Sequence, residues 1–368
     1  MLGQSTIVLN MIVKNEAGVI RRCLESVIPL IDHWVIVDTG STDGTQDIVK
    51  DTMRDVPGEL LERPWVNFGH NRTEALRLAD GRADYILIID ADDTLLIDQG
   101  FTKPRLSSDA YYVDHRRGPL VYGILHLVRS GLDWRYVGVL HEYIHSPHPH
   151  ATERLAGLTV TGESAGARAR DPLTYRRDAL ILEQGLLDEP DNSRYVFYLA
   201  QSYRDSGDLD LAIRNYQRRA GMGGWEEEVF AALYQHAACR ERRGDPWPEV
   251  MAAYLESHRF RPSRLEPLYW IGMHYINAKD WANGMLFMRR AMDLAAAPMH
   301  DILFVQHDLY RYWTAVQLSV CSYWLGDKEE CLRLSEQLLA RRDLGEEVAR
   351  LATFNRDLVL RELGRAAA

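Results

Sequence analysis

Cysteine is scarce in this chain, and the four residues present, Cys23, Cys239, Cys321 and Cys331, lie far apart with no CxxC pair among them. That excludes a disulfide-stapled small fold and a cysteine zinc ribbon, and leaves four buried thiols as the expectation. Long apolar runs are missing too. No stretch of about eighteen apolar residues occurs, so no integral membrane segment is expected. The opening MLGQSTIVLNMIVKNE lacks a basic segment leading into a long apolar one with a small-residue cleavage site. A soluble, cytoplasmic protein is the expectation. Basic charge is also in short supply, with 43 Lys and Arg against 53 Asp and Glu and a net charge of -10. This excludes nucleic acid or an anionic membrane as the main partner, and any anionic ligand needs a local device to hold it.

What is present is enough for two domains, since 368 residues exceed the usual size of a single core. From residue 5 to about 150, short Ile- and Val-rich runs alternate with helical patterns, as β-α units around a mostly parallel sheet do. Strands are expected at Thr6 to Val13, Trp34 to Asp38, Glu59 to Trp65 and Tyr85 to Asp90, and helices at Gly18 to Ile28, Thr45 to Arg54 and Arg72 to Ala79. The DGTQ before the second helix reads as a capping box, with Asp43 capping and Gln46 reaching back. Beyond Asp98 come the extended segments Ala110 to His115, Val121 to Arg129 and Trp134 to Ile144, an antiparallel extension of the sheet. The stretch TGESAGARARDP, 161–172, has no apolar periodicity and reads as a linker. This divides the chain at residues 1–165 and 166–368.

The second part is helical in pattern and repeats itself. In YVFYLAQSYRDSGDLDLAIRNYQRRA, small residues Ala200 and Ala212, aromatics Tyr203 and Tyr216, and Gly207 at a turn form one unit. Ala238, Gly244, Tyr254 and Pro262 form a second, and Gly272, Tyr275, Gly284 and Met288 a third. A looser copy has Tyr323, Gly326 and Asp327 at its turn. The offsets of 38 and 34 residues are close to the 34 of tetratricopeptide repeats, which these segments resemble. Small residues let paired helices approach, aromatics fill the gap to the next pair, and the resulting groove usually takes peptides or proteins. An array that buttresses the first domain or joins a homodimer is the alternative.

Within YILIIDADDTLLID, residues 85–98, a buried-looking strand runs into three carboxylates, Asp90, Asp92 and Asp93. One such Asp would read as a cap or a turn residue. Three within four positions repel one another, and in an open α/β sheet the strand ends border the ligand crevice. The string fits a haloacid dehalogenase pattern, with Asp90 as nucleophile and Asp92 as general acid. It fits the metal-binding DxD of a nucleotide-sugar glycosyltransferase equally well. Position separates them: a dehalogenase-like nucleophile belongs on the first core strand, whereas this motif follows the fourth, and the later GD pairs sit at repeat turns.

The order of segments then carries a resemblance. IVLNMIVKNEAGVIRRCLESV, WVIVDTGSTDGTQDIV and HNRTEAL followed by ADYILIIDADD resemble, in sequence, the opening, second strand and DxD region of family 2 glycosyltransferases of the GT-A fold. By position, the resemblance implies that Met11, Val13, Asn15, Glu16 and Asp38 line a base and ribose site, that Arg72 approaches the donor diphosphate, and that Asp90 meets ribose or a metal-bound water. Asp38 can accept from a uracil N3–H. Where the family often has a second acid, this chain has Thr39. Asp92 is the direct ligand implied for Mg2+ or Mn2+, hard cations that neutralise a leaving diphosphate, and alternation along a strand puts Asp90 on its side.

In WRYVGVLHEYIHSPHPH, residues 134–150, the resemblance places His141 as a further metal ligand and Glu142 as the base that an inverting transfer needs, with Asp93 as second candidate for the base. His145, His148 and His150 are proline-interleaved, and HEYIH has a zinc-protease spacing in a strand-like context, which argues against such a site. The joined halves resemble enzymes with a transferase domain and C-terminal tetratricopeptide repeats, including peptide S/O-glycosyltransferases of the sublancin type. The expectation is therefore an α/β GT-A domain, then an all-α repeat domain, forming a metal-dependent inverting glycosyltransferase with a UDP-sugar donor and a peptide or protein acceptor at Cys, Ser or Thr. Synthesis of a cell-surface saccharide, or a repeat scaffold with a degenerate transferase domain, are the alternatives.

Overall fold

The computed structural model describes residues 5–118, 120–148, 150–162, 171, 173–296 and 300–365. The chain divides into two compact units, Met1–Ser202 and Tyr203–Ala368. The first unit thus takes in one helix and most of a second that follow the expected linker. Thr161 and Gly162 of that linker end a strand, and most of the rest, including the expected division at 165/166, lies outside the described residues. Among the described residues no helix is long and apolar enough to cross a membrane. All four cysteines are free and buried, as expected.

The first unit begins with β1 (Ile7–Val13), α1 (Ile20–Val27), β2 (His33–Asp38), α2 (Thr45–Thr52), β3 (Gly58–Glu62), α3 (Phe68–Ala79) and β4 (Tyr85–Ile88). There follow β5 (Asp93–Ile97), β6 (Ala110–Arg117), β7 (Leu120–Arg129), β8 (Arg135–Val137), β9 (Tyr143–His145), β10 (Thr152–Gly162), α4 (Thr174–Asp188) and α5 (Ser193–Ser206). Eight strands form one sheet in the order β3-β2-β1-β4-β7-β6-β10-β5, and β8 and β9 pair separately. β1 runs parallel to β2 and β4. β7 then pairs antiparallel with β4, which begins the expected antiparallel extension.

The apolar runs of β1, β2 and β4 are near-continuous because both faces of the sheet are covered. Ile7, Leu9, Met11 and Val13 pack with Ile20, Cys23, Leu24 and Val49 on one face. Val8, Val35, Ile86 and Ile88 pack with Leu76, Ala79 and Trp134 on the other. Between β3 and β4 the chain leaves the growing edge and returns to the far side of β1. Strand ends at such a reversal are the usual ligand position in open sheets.

Three local expectations change. Asp43 does accept from the Thr45 amide and hydroxyl, but Gln46 does not complete a capping box. Its amide donates to Asp38 Oδ1 at 3.0 Å, because the left-handed Gly44 before α2 turns the first helical turn toward the end of β2. α3 begins at Phe68 rather than Arg72, capped by Asn67 Oδ1 accepting from the His70 amide. The single strand expected from Trp134 to Ile144 is a two-stranded hairpin, broken by left-handed backbone at Gly138 (φ 114) and His141 (φ 51).

The second unit is helical: α6 (Leu209–Gly221), α7 (Glu226–Arg243), α8 (Trp247–Phe260), α9 (Glu266–Asn277), α10 (Trp281–Ala295), a π-helical turn at Leu309–Trp313, α11 (Thr314–Trp324), α12 (Lys328–Leu339) and α13 (Glu346–Glu362). One turn recurs four times. Asp208, Asp245, Asp280 and Asp327 each donate their amide to the carbonyl five residues back, those of Tyr203, Arg240, Tyr275 and Ser322. This is the Schellman closure, which requires a left-handed residue just before the Asp. Gly207, Gly244 and Gly326 supply it, and Lys279 supplies it at φ 61 in the third copy. Small residues bring helices together as the repeat pattern implied: a Cβ on Gly272 would stand 2.8 Å from Met288 Cε, and one on Gly284 2.8 Å from Ile276 Cγ1.

Candidate functional site

The crevice is framed first by two loops zipped together by hydrogen bonds. The loop after β1 carries Asn15, in left-handed backbone at φ 57, whose amide donates to Ser41 Oγ and whose Oδ1 accepts from the Thr42 amide. The Glu16 amide donates to Thr45 Oγ1 and the Ala17 amide to Asp43 Oδ2. Thr39, where an acid was expected by family resemblance, donates its amide and hydroxyl to the Val13 carbonyl. The side chains of Met11 and Val13 face the core. Of the residues assigned to base and ribose, those two therefore offer backbone alone, while Asn15 and Glu16 build the loop.

Asp38 sits beneath this frame at the end of β2 with no solvent exposure. Its Oδ1 accepts from the Gly40 and Ser41 amides and from Gln46 Nε2. Burial opposes its charge, and the hydrogen bonds from Ser41, Gln46 and Gly40 outweigh burial and hold the carboxyl below its ordinary range. Its other oxygen, Oδ2, is buried without a hydrogen-bond partner. A buried acceptor left unmatched is costly, so this oxygen has the character of a half-filled recognition site.

The acidic turn lies at the end of β4. β4 stops at Ile88, earlier than expected, so Asp90 and Asp92 stand in the turn and Asp93 opens β5. α1 fixes the turn's backbone from below: Arg22 Nη2 donates to the Asp92 carbonyl at 3.1 Å, Cys23 Sγ to the Asp90 carbonyl at 3.3 Å, and Ser26 Oγ accepts from the Leu95 amide. None of these three contacts was foreseen from the residues alone. RRCLES reads as an ordinary amphipathic helix, and only the register of α1 against the turn reveals the pairing.

Arg72 organises the charges. Asn71, fully buried, accepts from the Val66 amide through Oδ1 and donates to the Pro64 carbonyl, which fixes the entry to α3 and so aims the next residue. The Arg72 guanidinium reaches Asp90 Oδ1 at 2.7 Å and Glu142 Oε1 at 2.8 Å, with the Tyr136 ring beneath it. Burial works against the Asp90 charge, and Arg72 more than offsets it, so Asp90 is held below the ordinary carboxylate range. Burial pushes the Tyr136 hydroxyl up to about 12. Two acids far apart in sequence thus share one cation.

Asp93 has a different environment. It is 3% exposed, and burial first, then the charges of Asp90 and Asp92, push its carboxyl up to about 7, only partly offset by Arg117. A Cβ on the neighbouring Gly162 would stand about 3 Å from each of Asp93 Oδ1, His115 Nε2 and Arg117 Nε. Behind them, His115 Nδ1 lies 3.2 Å from His126 Nε2, and His126 Nδ1 lies 2.7 Å from the Ile88 carbonyl. This buried pair was not foreseen, because the register of β6 on β7 sets His115 opposite Tyr122 and leaves His126 at an irregularity, so the pairing follows from no strand rhythm.

His141 and Glu142 lie in the connection between β8 and β9. The His141 ring stacks on Tyr198 of α5 at 4.0 Å. Its carbonyl accepts from Arg194 Nε and Nη2 at 3.0 and 2.7 Å. Among the described residues no group of three or more His, Cys, Asp or Glu side chains is arranged to hold a metal ion. His145 lies edge-on to Tyr143, and His150 to Trp134.

Comparison with known proteins bears on the same segments. The family model "glycosyl transferase family 2" matches residues 9–99, which contain Asp38, Arg72, Asp90, Asp92 and Asp93. A TPR repeat-containing protein of Synechococcus elongatus is 26% identical over 310 residues, 79% of this chain and 75% of that protein. The prophage-derived glycosyltransferase SunS of Bacillus subtilis is 25% identical over 236 residues, 58% of this chain and 54% of its own length. Among solved structures, a tetratricopeptide repeat protein from Parabacteroides merdae aligns with 52% of this chain and 68% of its own, at 15% identity and a TM-score of 0.37.

Proposed function

With a glycosyl transferase family 2 domain at residues 9–99 as the premise, we propose that this chain transfers a sugar from a UDP-sugar to a Cys, Ser or Thr side chain of a peptide or protein, in a metal-dependent, inverting reaction. The observation that carries the donor assignment is the buried, unpartnered Oδ2 of Asp38. Its sister oxygen is saturated by three donors from its own chain. An imide N–H of uracil supplies the missing donor, whereas the corresponding position of cytosine is an acceptor. The frame of Asn15, Ser41 and Thr42 rims the same strand end.

A divalent cation fits the acidic turn in a restricted sense. Two carboxylates, Asp92 and Asp90, with one Asp90 oxygen engaged by Arg72, are too few to cage an ion alone. They suit Mg2+ or Mn2+, which is commonly held by one or two carboxylates together with substrate phosphates. When bound, the ion supplies neutralisation of the charge that grows on the leaving diphosphate. His141, the expected third ligand, stacks instead on Tyr198, and among the described residues it joins no metal-holding group with these carboxylates.

Glu142 is the proposed base. It shares Arg72 with Asp90, which puts base and acidic turn at one site. Asp93 is the second candidate, buried and turned toward Arg117 and His115. The proposal of a peptide acceptor rests on the resemblance of the joined halves to peptide S/O-glycosyltransferases and on the helical repeats, whose architecture commonly holds peptides. Thermal-shift titration against UDP, CDP, GDP and their sugars, with and without Mn2+, tests the donor. Stabilisation by UDP compounds that deepens with Mn2+ is expected, and preference for another nucleotide refutes the reading.

A further inference from the structure

We infer that Arg194 and Tyr198 of α5 are positioning residues for the proposed base, so that the helix opening the repeat pattern belongs to the catalytic machinery. The inference rests on the transferase reading above. Glu142 follows a residue in strained backbone. His141 adopts φ 51, a region that non-glycine residues rarely enter, and strain of this kind persists only where surrounding contacts over-determine it.

The contacts that do so come largely from α4 and α5. Arg194 donates two hydrogen bonds to the His141 carbonyl, and its guanidinium lies over the Tyr143 and Tyr198 rings. Tyr198 stacks on the His141 ring with an interplanar angle of 15°. Tyr195, 3% exposed, accepts from the Val139 amide through its hydroxyl. Gly185 of α4 leaves just enough room for this loop, since a Cβ there would meet Val139 Cγ2 at 3.0 Å.

On the other side Arg72 holds the Glu142 carboxylate. The backbone at 139–141 is therefore gripped by α5 and the carboxylate by α3. Tyr195, Tyr198 and Arg194 all precede Ser202, so each lies in the same compact unit as the sheet. The partners of Asp38 and Asp90 described above, Gly40, Ser41, Gln46 and Arg72, lie on other elements. Loosening α5 should move the base and leave the donor pocket as it is, and a residue acting only on general stability would not separate the two.

The test uses full-length Arg194→Ala, Arg194→Lys and Tyr198→Leu, with UDP as binding probe and, as turnover probe, whichever UDP-sugar of a panel the parent hydrolyses fastest with Mn2+. Arg194→Ala is expected to lower kcat at least tenfold while the Kd for UDP stays within twofold. Arg194→Lys, able to donate once to the same carbonyl, should recover part of kcat. With histidine ring labelling, the His141 resonance should move downfield in Tyr198→Leu as the shielding ring is lost. Unchanged kcat in Arg194→Ala, or kcat and UDP affinity falling together, would overturn the inference. A parent that neither binds UDP nor hydrolyses a UDP-sugar sinks the donor reading instead. The His141 resonance then still decides whether α5 holds the loop, and an unmoved signal rejects that too.

Discussion

One buried histidine pair should draw stability from the sheet beside the acidic turn as pH falls, in opposition to Asp93, whose raised carboxyl takes up a proton in the folded chain over the same window. His115 and His126 are 4% and 5% exposed, and their rings stack at 5.5 Å. The Ile88 carbonyl can only accept, so His126 Nδ1 carries a proton and its Nε2 accepts from His115 Nδ1. That chain of donors leaves His115 Nε2 as a bare acceptor, buried without a partner. Burial, then the neighbouring His126 and Arg117, push His115 down from 6.5 to about 4, with Asp90 pulling the other way. The neutral ring is therefore favoured in the folded chain. Its stabilising share is complete above 6.5 and lost as pH falls toward 4, because in that window the unfolded chain binds the proton and the folded chain does not. At about 1.4 kcal/mol per tenfold change in proton binding, the loss comes to about 3 kcal/mol. Hydrogen exchange of peptides from Ala110–Arg117 and Leu120–Arg129, corrected for intrinsic rates between pH 7.5 and 4.5, measures it directly. In His115→Gln the protection of these strands should fall by about 2 to 3 kcal/mol less than in the parent over that range. Parallel curves for parent and variant would refute the reasoning.

Asp38→Asn keeps an oxygen for the Gly40, Ser41 and Gln46 donors and turns an NH2 toward the empty side. It should weaken UDP binding about 10- to 100-fold by calorimetry, the range of one buried mismatch, and unchanged affinity would remove Asp38 from base recognition. Asp92→Asn should abolish the extra thermal stabilisation that Mn2+ gives with UDP while leaving the metal-free melting point within about a degree, since the Asp92 side chain is not in the core. Lys279→Gly should raise the stability of the repeat unit by about 0.5 to 1 kcal/mol in urea, because the side chain sits at φ 61 where three sister turns use glycine. A loss of stability there would mean that the lysine side chain contributes more than its backbone conformation costs.

The sequence made the alternation of strands and helices legible because the runs at Ile7–Val13, His33–Asp38 and Tyr85–Ile88 are covered on both faces and read as short apolar blocks between helical patterns. The helical repeats were legible through their turns, where backbone geometry admits few residue types. β5 and β10 were not. Asp93–Ile97 begins with an acid of the motif itself, and Thr152–Gly162 pairs parallel with β6 through an irregular register, so neither has a clean two-residue rhythm. Within the site, Asp38, Asp90 and Glu142 could be named from motif order, while the groups that hold them could not. Arg22, Cys23, Asn71, His115, His126, Arg194 and Tyr198 act by tertiary register, and each has an unremarkable local context: a helix face, a strand, the first turn of a repeat.

How three acids can crowd into one turn follows from that hidden set. Asp90 is neutralised by a guanidinium that also neutralises Glu142. Asp93 is pushed the other way, since burial and its neighbours raise its carboxyl to about 7, which favours its protonated form. The peptide groups of Asp90 and Asp92 are pinned by Cys23 and Arg22, so repulsion among the carboxylates cannot relax by unwinding the turn. Arg72 is thus shared between the first acid of the motif and the proposed base. Under the proposed function, Asp90 and Asp92 would hold a divalent cation that neutralises the donor diphosphate, and a phosphate drawing on Arg72 would free Glu142 from its ion pair.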